Sequence, residues 1–415
     1  MNSTPAFPPF SPASDRDAGP EAGLRRAFLA VTLVVACLTG YVTTYVLLLL
    51  VIAASAVLAA RRVPPLLDFA GLGFMACFAA MAIALTITAQ DAFDVALVAN
   101  FAAFIAYIPL ATLYRRAAKP GNTALVAMLS LGGAFAGFAF AVIHGPIMGA
   151  DRAGWVIFTD PIRLAGTCLI LGFLALIGFI VHPGRWRWIF MLGPVFALVT
   201  ILLAGSRGAL LAFPPLALVA TLFIVRHKLT ALGLAGAGIA VLLGLLIFTD
   251  LGEGRAATVL SIVPEILSGR MVVDIQTAIR IDLYRAGWEA FLASPFAGHG
   301  WARLMSAVVP YLDPANASHA YLPHLHNDLL TLAVAAGVFG IAVYFALLAI
   351  PPIAVLRSPR DSQYEARMFG VSILVTAYVV MGLPDTMLSF ELHSALYVAT
   401  AAVLLAFCRD DGTSR

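Results

Sequence analysis

Three places in this 415-residue chain set polar chemistry inside hydrophobic sequence. Residues 324–340 read HLHNDLLTLAVAAGVFG, so His324, His326, Asn327 and Asp328 stand at the mouth of an apolar run. Arg207 lies in LLAGSRGALLAFPP, flanked by Gly205 and Gly208, with no carboxylate nearby in sequence. Arg280 opens RIDLYRAGW and has no acidic residue three or four positions away on either side. A guanidinium presents a planar fork of donors that matches a phosphate, and adjacent glycines let the backbone approach closely. An imidazole at the start of a helix can be held neutral by the positive end of the dipole and act as a base. Asp328 pulls the other way, and Asn327 or Asp328 suits the N-cap, which leaves the histidines without an obvious structural task.

The elements that must carry these residues are set by composition. The chain is 61% hydrophobic and 11% charged, with mean hydropathy +0.96. Soluble domains carry about 25% charged residues, so this chain cannot cover a water-facing surface and is read as an all-α polytopic membrane protein. A net charge of +3 gives no reason to expect nucleic acid. Cys37, Cys77, Cys168 and Cys408 lie in or beside apolar runs without metal-type spacing, and read as packing residues.

Residues 1–26 form a Pro-, Ser- and Asp-rich tail expected to be disordered and cytoplasmic, with the first span serving as its own signal. Arg25-Arg26 and Arg61-Arg62 bracket one long apolar run, and a hairpin turning near Gly40 keeps both pairs on one side. Further spans are expected at 65–88, 95–114, 122–143, 161–181, 187–204, 208–225, 229–249, 328–350, 367–383 and 390–408, about twelve in all. The chain then divides into a bundle of about nine spans (27–249), a long periplasmic loop with short helices (250–327), a bundle of about three spans (328–408) and a cytoplasmic tail (409–415).

This register leaves all but eight of the 25 Lys and Arg residues cytoplasmic. The eight are Arg152, Arg163, Arg207, Arg255, Arg270, Arg280, Arg285 and Arg303. Arg207 admits two readings, a side chain snorkelling to the headgroups or an anion site. Residues 278–295 read as a helix stopped by Pro295, with Ile281, Tyr284, Trp288 and Phe291 on a face turned to the membrane or to neighbouring helices. Arg285 has Asp282 and Glu289 within a turn and reads as a surface ion pair. Arg280, on the apolar face, is the better candidate for holding an anion.

SRGALLA at 206–212, RIDLYRAGWEAFLASPFAGHGW at 280–301 and HLHNDLLTLAVAAGVFGIAVYF at 324–345 together resemble the landmarks of the O-antigen ligase superfamily, which includes WaaL-type ligases, Wzy-type polymerases and protein O-oligosaccharyltransferases. The resemblance implies a GT-C-like glycosyltransferase of the bacterial inner membrane with its active site facing the periplasm. It implies a donor glycan on undecaprenyl diphosphate and a lipid A-core acceptor, with membrane lipid around both. It assigns Arg207 and Arg280 to the diphosphate and His326 to catalysis as the general base of a direct, inverting transfer. His324, Arg163, Asp385 and Glu391 face the same side and rank second. No cofactor is expected, and no metal, because the extracytoplasmic segments show no DxD pair. A polymerase using the same donor is the alternative to a ligase. An anion transporter or channel is a more distant reading, since the candidate residues gather at one face rather than at the midplane.

Overall fold

The computed structural model describes residues 20–225 and 275–410, apart from 157, 158, 315, 317–321, 323 and 390, together with short pieces between 227 and 238. Ten described helices are long and apolar enough to cross a membrane. They are α1 (Pro20–Gly40), α2 (Val42–Ala60), α3 (Phe69–Thr88), α4 (Ala92–Arg115), α5 (Asn122–Ile147), α6 (Pro161–Val181), α7 (Arg185–Ala204), α8 (Arg207–Ile224), α10 (Asp328–Leu356) and α11 (Tyr364–Met381). Helix α9 (Ile275–Ala293) precedes α10 in the chain, and the shorter apolar α12 (Glu391–Phe407) follows α11. No strand occurs among the described residues. The expected span at 229–249 and most of the loop before α9 lie outside the described residues, so ten long spans and α12 account for eleven of the expected twelve.

Local sequence sets the helix ends. Asp68, Asp91 and Asp160 cap α3, α4 and α6 through side-chain oxygens that accept from backbone N–H groups, and Pro161 takes the first position of α6. Gly205, at φ 60°, closes α7 in the left-handed conformation. Between α1 and α2 the backbone breaks at Gly40, with φ 35° and ψ −103°. Glu21 at the start of α1 then meets Arg61 just after α2 (3.2 Å) and Arg116 just after α4 (3.5 Å). The first two helices are therefore an antiparallel hairpin, as the paired arginines imply. Its first helix starts at Pro20, inside the stretch expected to be tail, because Glu21 and Arg25 are buried there rather than solvated.

Helix α6 is the most enclosed of the spans. It crosses α7 where Gly172 faces Gly193, and a Cβ on Gly172 would stand 2.5 Å from the Gly193 carbonyl oxygen. Close backbone approach through small residues is how apolar helices gain contact when burial of oily surface drives nothing. All four cysteines are buried and unbridged, consistent with packing.

Helix α10 is broken nine residues in, at Ala336 (φ −134°) and Gly337 (φ 61°, ψ −144°). Backbone groups released at a break inside a membrane must find partners within the protein. The segment after α9 supplies them: His299 and Gly300 donate to the carbonyls of Val334 and Ala335 (2.9 and 3.0 Å), and Val338 donates to Pro295 (2.8 Å). Cβ atoms at Gly298 or Gly337 would each lie 2.5 Å from the opposing backbone. This splice explains the glycines of SPFAGHG, and it ties the end of α9 to the middle of α10.

Charged side chains gather at the two ends of the bundle. At one, Arg367 is fully buried and binds both oxygens of Asp361 (2.7 and 2.9 Å) and the Cys408 carbonyl (3.0 Å). Asn122 donates to the Phe407 carbonyl nearby. At the other, Arg303 binds Asp94 (2.6 Å) and the Thr88 carbonyl, and Arg152 donates to Ala204 (3.1 Å) at the end of α7. That second end holds the candidate site.

Candidate active site

His326 occupies the last turn of chain before α10. Its φ is +52°, a left-handed conformation that costs a non-glycine residue and persists where surrounding bonds hold it. Those bonds are present. The His326 N–H donates to His324 Nδ1 (3.3 Å), and the Tyr284 hydroxyl of α9 sits 2.8 Å from the His326 carbonyl and 3.0 Å from that of Leu383. Burial pushes the Tyr284 phenol up to about 12, so it remains a hydrogen-bond donor. Asn327 caps α10 by accepting from Leu330 N–H (2.9 Å), and its amide donates to Leu383 (3.0 Å).

Asp328 does not face His326. Its fully buried carboxylate accepts from the backbone N–H groups of Met387, Leu388 and Ser389 and from the Ser389 hydroxyl, at 2.8–3.1 Å, while its own N–H donates to Gly382 (2.9 Å). The loop between α11 and α12 is thereby buckled onto the first turn of α10. That loop carries Asp385, whose Oδ1 lies 3.3 Å from His326 Nδ1. Burial alone would raise Asp385. The hydrogen bond and charge of His326, the Thr386 N–H and the charge of His324 instead hold it below the usual carboxylate range. An ionised carboxylate only accepts, so His326 donates its Nδ1 proton to Asp385, which leaves Nε2 as the ring nitrogen turned away from the carboxylate.

Two cavities meet at this pair. The larger, about 590 Å³, is lined by Arg207 and Ser206 at the start of α8, by Thr277 and Arg280 of α9, and by Arg152, Leu322, Pro384, His326 and Asp385, among others. The smaller, about 250 Å³, is lined by Arg152, Trp155, Asp160, Pro161, Ile162, Arg163, His324, Thr386 and His393, and again by His326 and Asp385. In it Arg163 Nε pairs with Asp160 (2.8 Å). Burial, reinforced by the charges of His326, Arg163 and Arg280 against that of Asp385, pushes His324 down to about 4, so it is neutral at pH 7.

The donor atoms of His324, His326 and Asp385 lie within 4.8 Å of one another, a set that a transition metal can use. Arg152, Arg163, Arg207 and Arg280 line the same two cavities, and their combined field opposes a cation and favours an anion.

Of the residues singled out in the sequence, Arg207, Arg280, His326 and Asp385 share one cavity wall, and Arg163 and His324 share the next. Glu391 is exposed at the start of α12 and lines neither. Arg285 binds Asp282 (2.6 Å) and the Tyr311 carbonyl (2.8 Å). Sequence reasoning passed over His393, Trp155, Asp160 and the bonding role of Tyr284. His393 had a signal, a histidine near the mouth of an apolar run like His326; the others had none.

Comparison with curated proteins finds no match. The family model described as O-antigen ligase matches residues 192–345, from within α7 to the middle of α10, and so includes Arg207, Arg280 and His326. Over that stretch the chain is similar to the O-antigen ligase family, and its ten long apolar helices mark it as a multi-pass membrane protein.

Proposed function

We propose that the chain is an O-antigen ligase that transfers a glycan from undecaprenyl diphosphate to a sugar hydroxyl of lipid A-core, at the periplasmic face of a bacterial inner membrane. The observation that carries this reading is the single cavity wall holding two arginines beside a His–Asp pair. Arg207 and Arg280 take the diphosphate and stabilise the charge that grows on it as the anomeric C–O bond breaks. The acceptor oxygen forms the new bond to the anomeric carbon from the opposite side, inverting it. Its proton passes to His326 Nε2, and Asp385 stabilises the imidazolium that forms. The electron pair of the broken bond leaves with undecaprenyl diphosphate. A diphosphate is already a good leaving group, so charge stabilisation matters more than a proton donor, and the arginines can supply it without a metal.

Broken helices also occur in transporters. The break in α10 is sealed by backbone bonds to residues 295–300, and the charged residues lie at one end of the bundle, which favours a transferase. The test is to incubate purified protein with lipid-linked glycan, adding either core lipid or further lipid-linked glycan. Glycan appearing on the core lipid supports the ligase. Chains lengthening on the undecaprenyl carrier instead would make the protein a polymerase, and no transfer to either acceptor would count against both.

A further inference from the structure

We infer that the smaller cavity, walled by Trp155, the Asp160–Arg163 pair, His324 and His393, seats the acceptor sugar. The inference rests on the transferase reading above and adds where the second substrate sits. A base that takes a proton during an inverting attack must touch the acceptor, which approaches opposite the leaving group. The larger cavity holds Arg207 and Arg280 and so belongs to the diphosphate; His326 and Asp385 are shared with the smaller one, which thereby gives a second substrate access to the same base. The lining suits a saccharide. Trp155 is 71% exposed and offers a broad apolar ring to the C–H face of a sugar. Asp160 is fixed by capping α6, with Oδ1 accepting from Ile162 and Arg163 N–H at 2.9 Å and Oδ2 bound to Arg163 Nε. That ion pair presents donors and acceptors to hydroxyls, and Arg152, which lines both cavities, adds a further donor. His324, pushed down to about 4 by burial, adds a neutral imidazole. At about 250 Å³ the space lies below the usual range of pockets for larger ligands, roughly 300–1,000 Å³, and fits the terminal ring of a glycan whose lipid stays outside.

The experiment uses the full chain in detergent, lipid-linked glycan as donor and rough lipopolysaccharide, which lacks O-antigen, as the acceptor probe. Trp155→Ala is expected to raise KM for rough lipopolysaccharide about tenfold, the scale of one aromatic face lost, with donor KM within about twofold; Trp155→Phe should restore most of it. An unchanged acceptor KM, or a donor KM that rises in step, overturns the assignment, including the case in which Trp155 only anchors the protein at the lipid surface. Binding of rough lipopolysaccharide without donor separates the two claims. Wild type that binds it but transfers nothing defeats the transferase reading, and equal binding by Trp155→Ala defeats the chamber.

Discussion

Replacing Asp328 by Asn isolates the buckle that sets the His326–Asp385 pair. The wild-type carboxylate is fully buried and accepts from three consecutive N–H groups and one hydroxyl. Asn keeps the shape, but one oxygen becomes an NH₂ group facing the Met387 and Leu388 donors. Hydrogen bonds to a charged group contribute about 1.5–3 kcal/mol against about 0.5–1.5 for neutral ones, and a buried donor left unmet costs about 1–3. One unmet donor and weaker remaining bonds together cost about 3 kcal/mol, or roughly two orders of magnitude in the closed-to-open ratio of the loop. Hydrogen exchange read by mass spectrometry should therefore show the amides of residues 387–389 opening about a hundredfold more often. The transfer rate should fall about tenfold or more, because Asp385 rides on that loop and no longer orients His326. Unchanged exchange at 387–389 would refute the buckle. Faster exchange with a wild-type rate would refute its link to catalysis.

Arg207→Ala and Arg280→Ala should nearly abolish transfer, with Lys restoring either only in part because it lacks the planar fork; full rescue by Lys at both would count against diphosphate binding. Arg285→Ala should be mild, since that side chain is 54% exposed and Asp282 keeps its bonds to Asp313 and Asn316. Gly337→Ala forces a side chain into a left-handed conformation 2.5 Å from the Phe296 carbonyl and should cost about 3 kcal/mol or more, whereas Gly132→Ala in α5 meets nothing and should be neutral or better. Thermal unfolding in detergent reads both, and equal midpoints would contradict the splice. For His324, a folded pKa of about 4 against 6.5 unfolded means that the unfolded chain binds the proton first. Stability is then full above about pH 6.5 and falls by up to about 3 kcal/mol as pH drops to about 4; His324→Asn should flatten that fall, and an unchanged profile would contradict the burial argument.

The bundle was legible because its signals are local. Apolar runs, Asp160-Pro161 at a helix start, Asn327 before α10 and paired arginines around Gly40 each act within a few residues. That the three leading candidates would share a cavity wall was hinted at for a related reason: an Arg or His beside an apolar run needs an explanation that its neighbours do not supply. What stayed hidden depends on packing across the chain. Asp385 meets His326 from 59 positions away, and Asp328, read beforehand as a local influence on His326, turns instead to Met387, Leu388 and Ser389. The glycines of SPFAGHG carry no local signal of their partner, and only the break in α10 shows what they join. The start of α1 was missed because Glu21 gains its partners from the ends of α2 and α4, which no window along the sequence brings together.

The central claim is that the polar mouth of α10 removes the acceptor proton while the arginines hold the donor. It is tested most directly by measuring, in one His326→Ala preparation, the single-turnover transfer rate and the Kd for lipid-linked donor. The rate should fall by about 10²–10⁴ while donor Kd stays within a few-fold of wild type. A variant that transfers normally, or one whose donor affinity falls as far as its rate, would contradict the account.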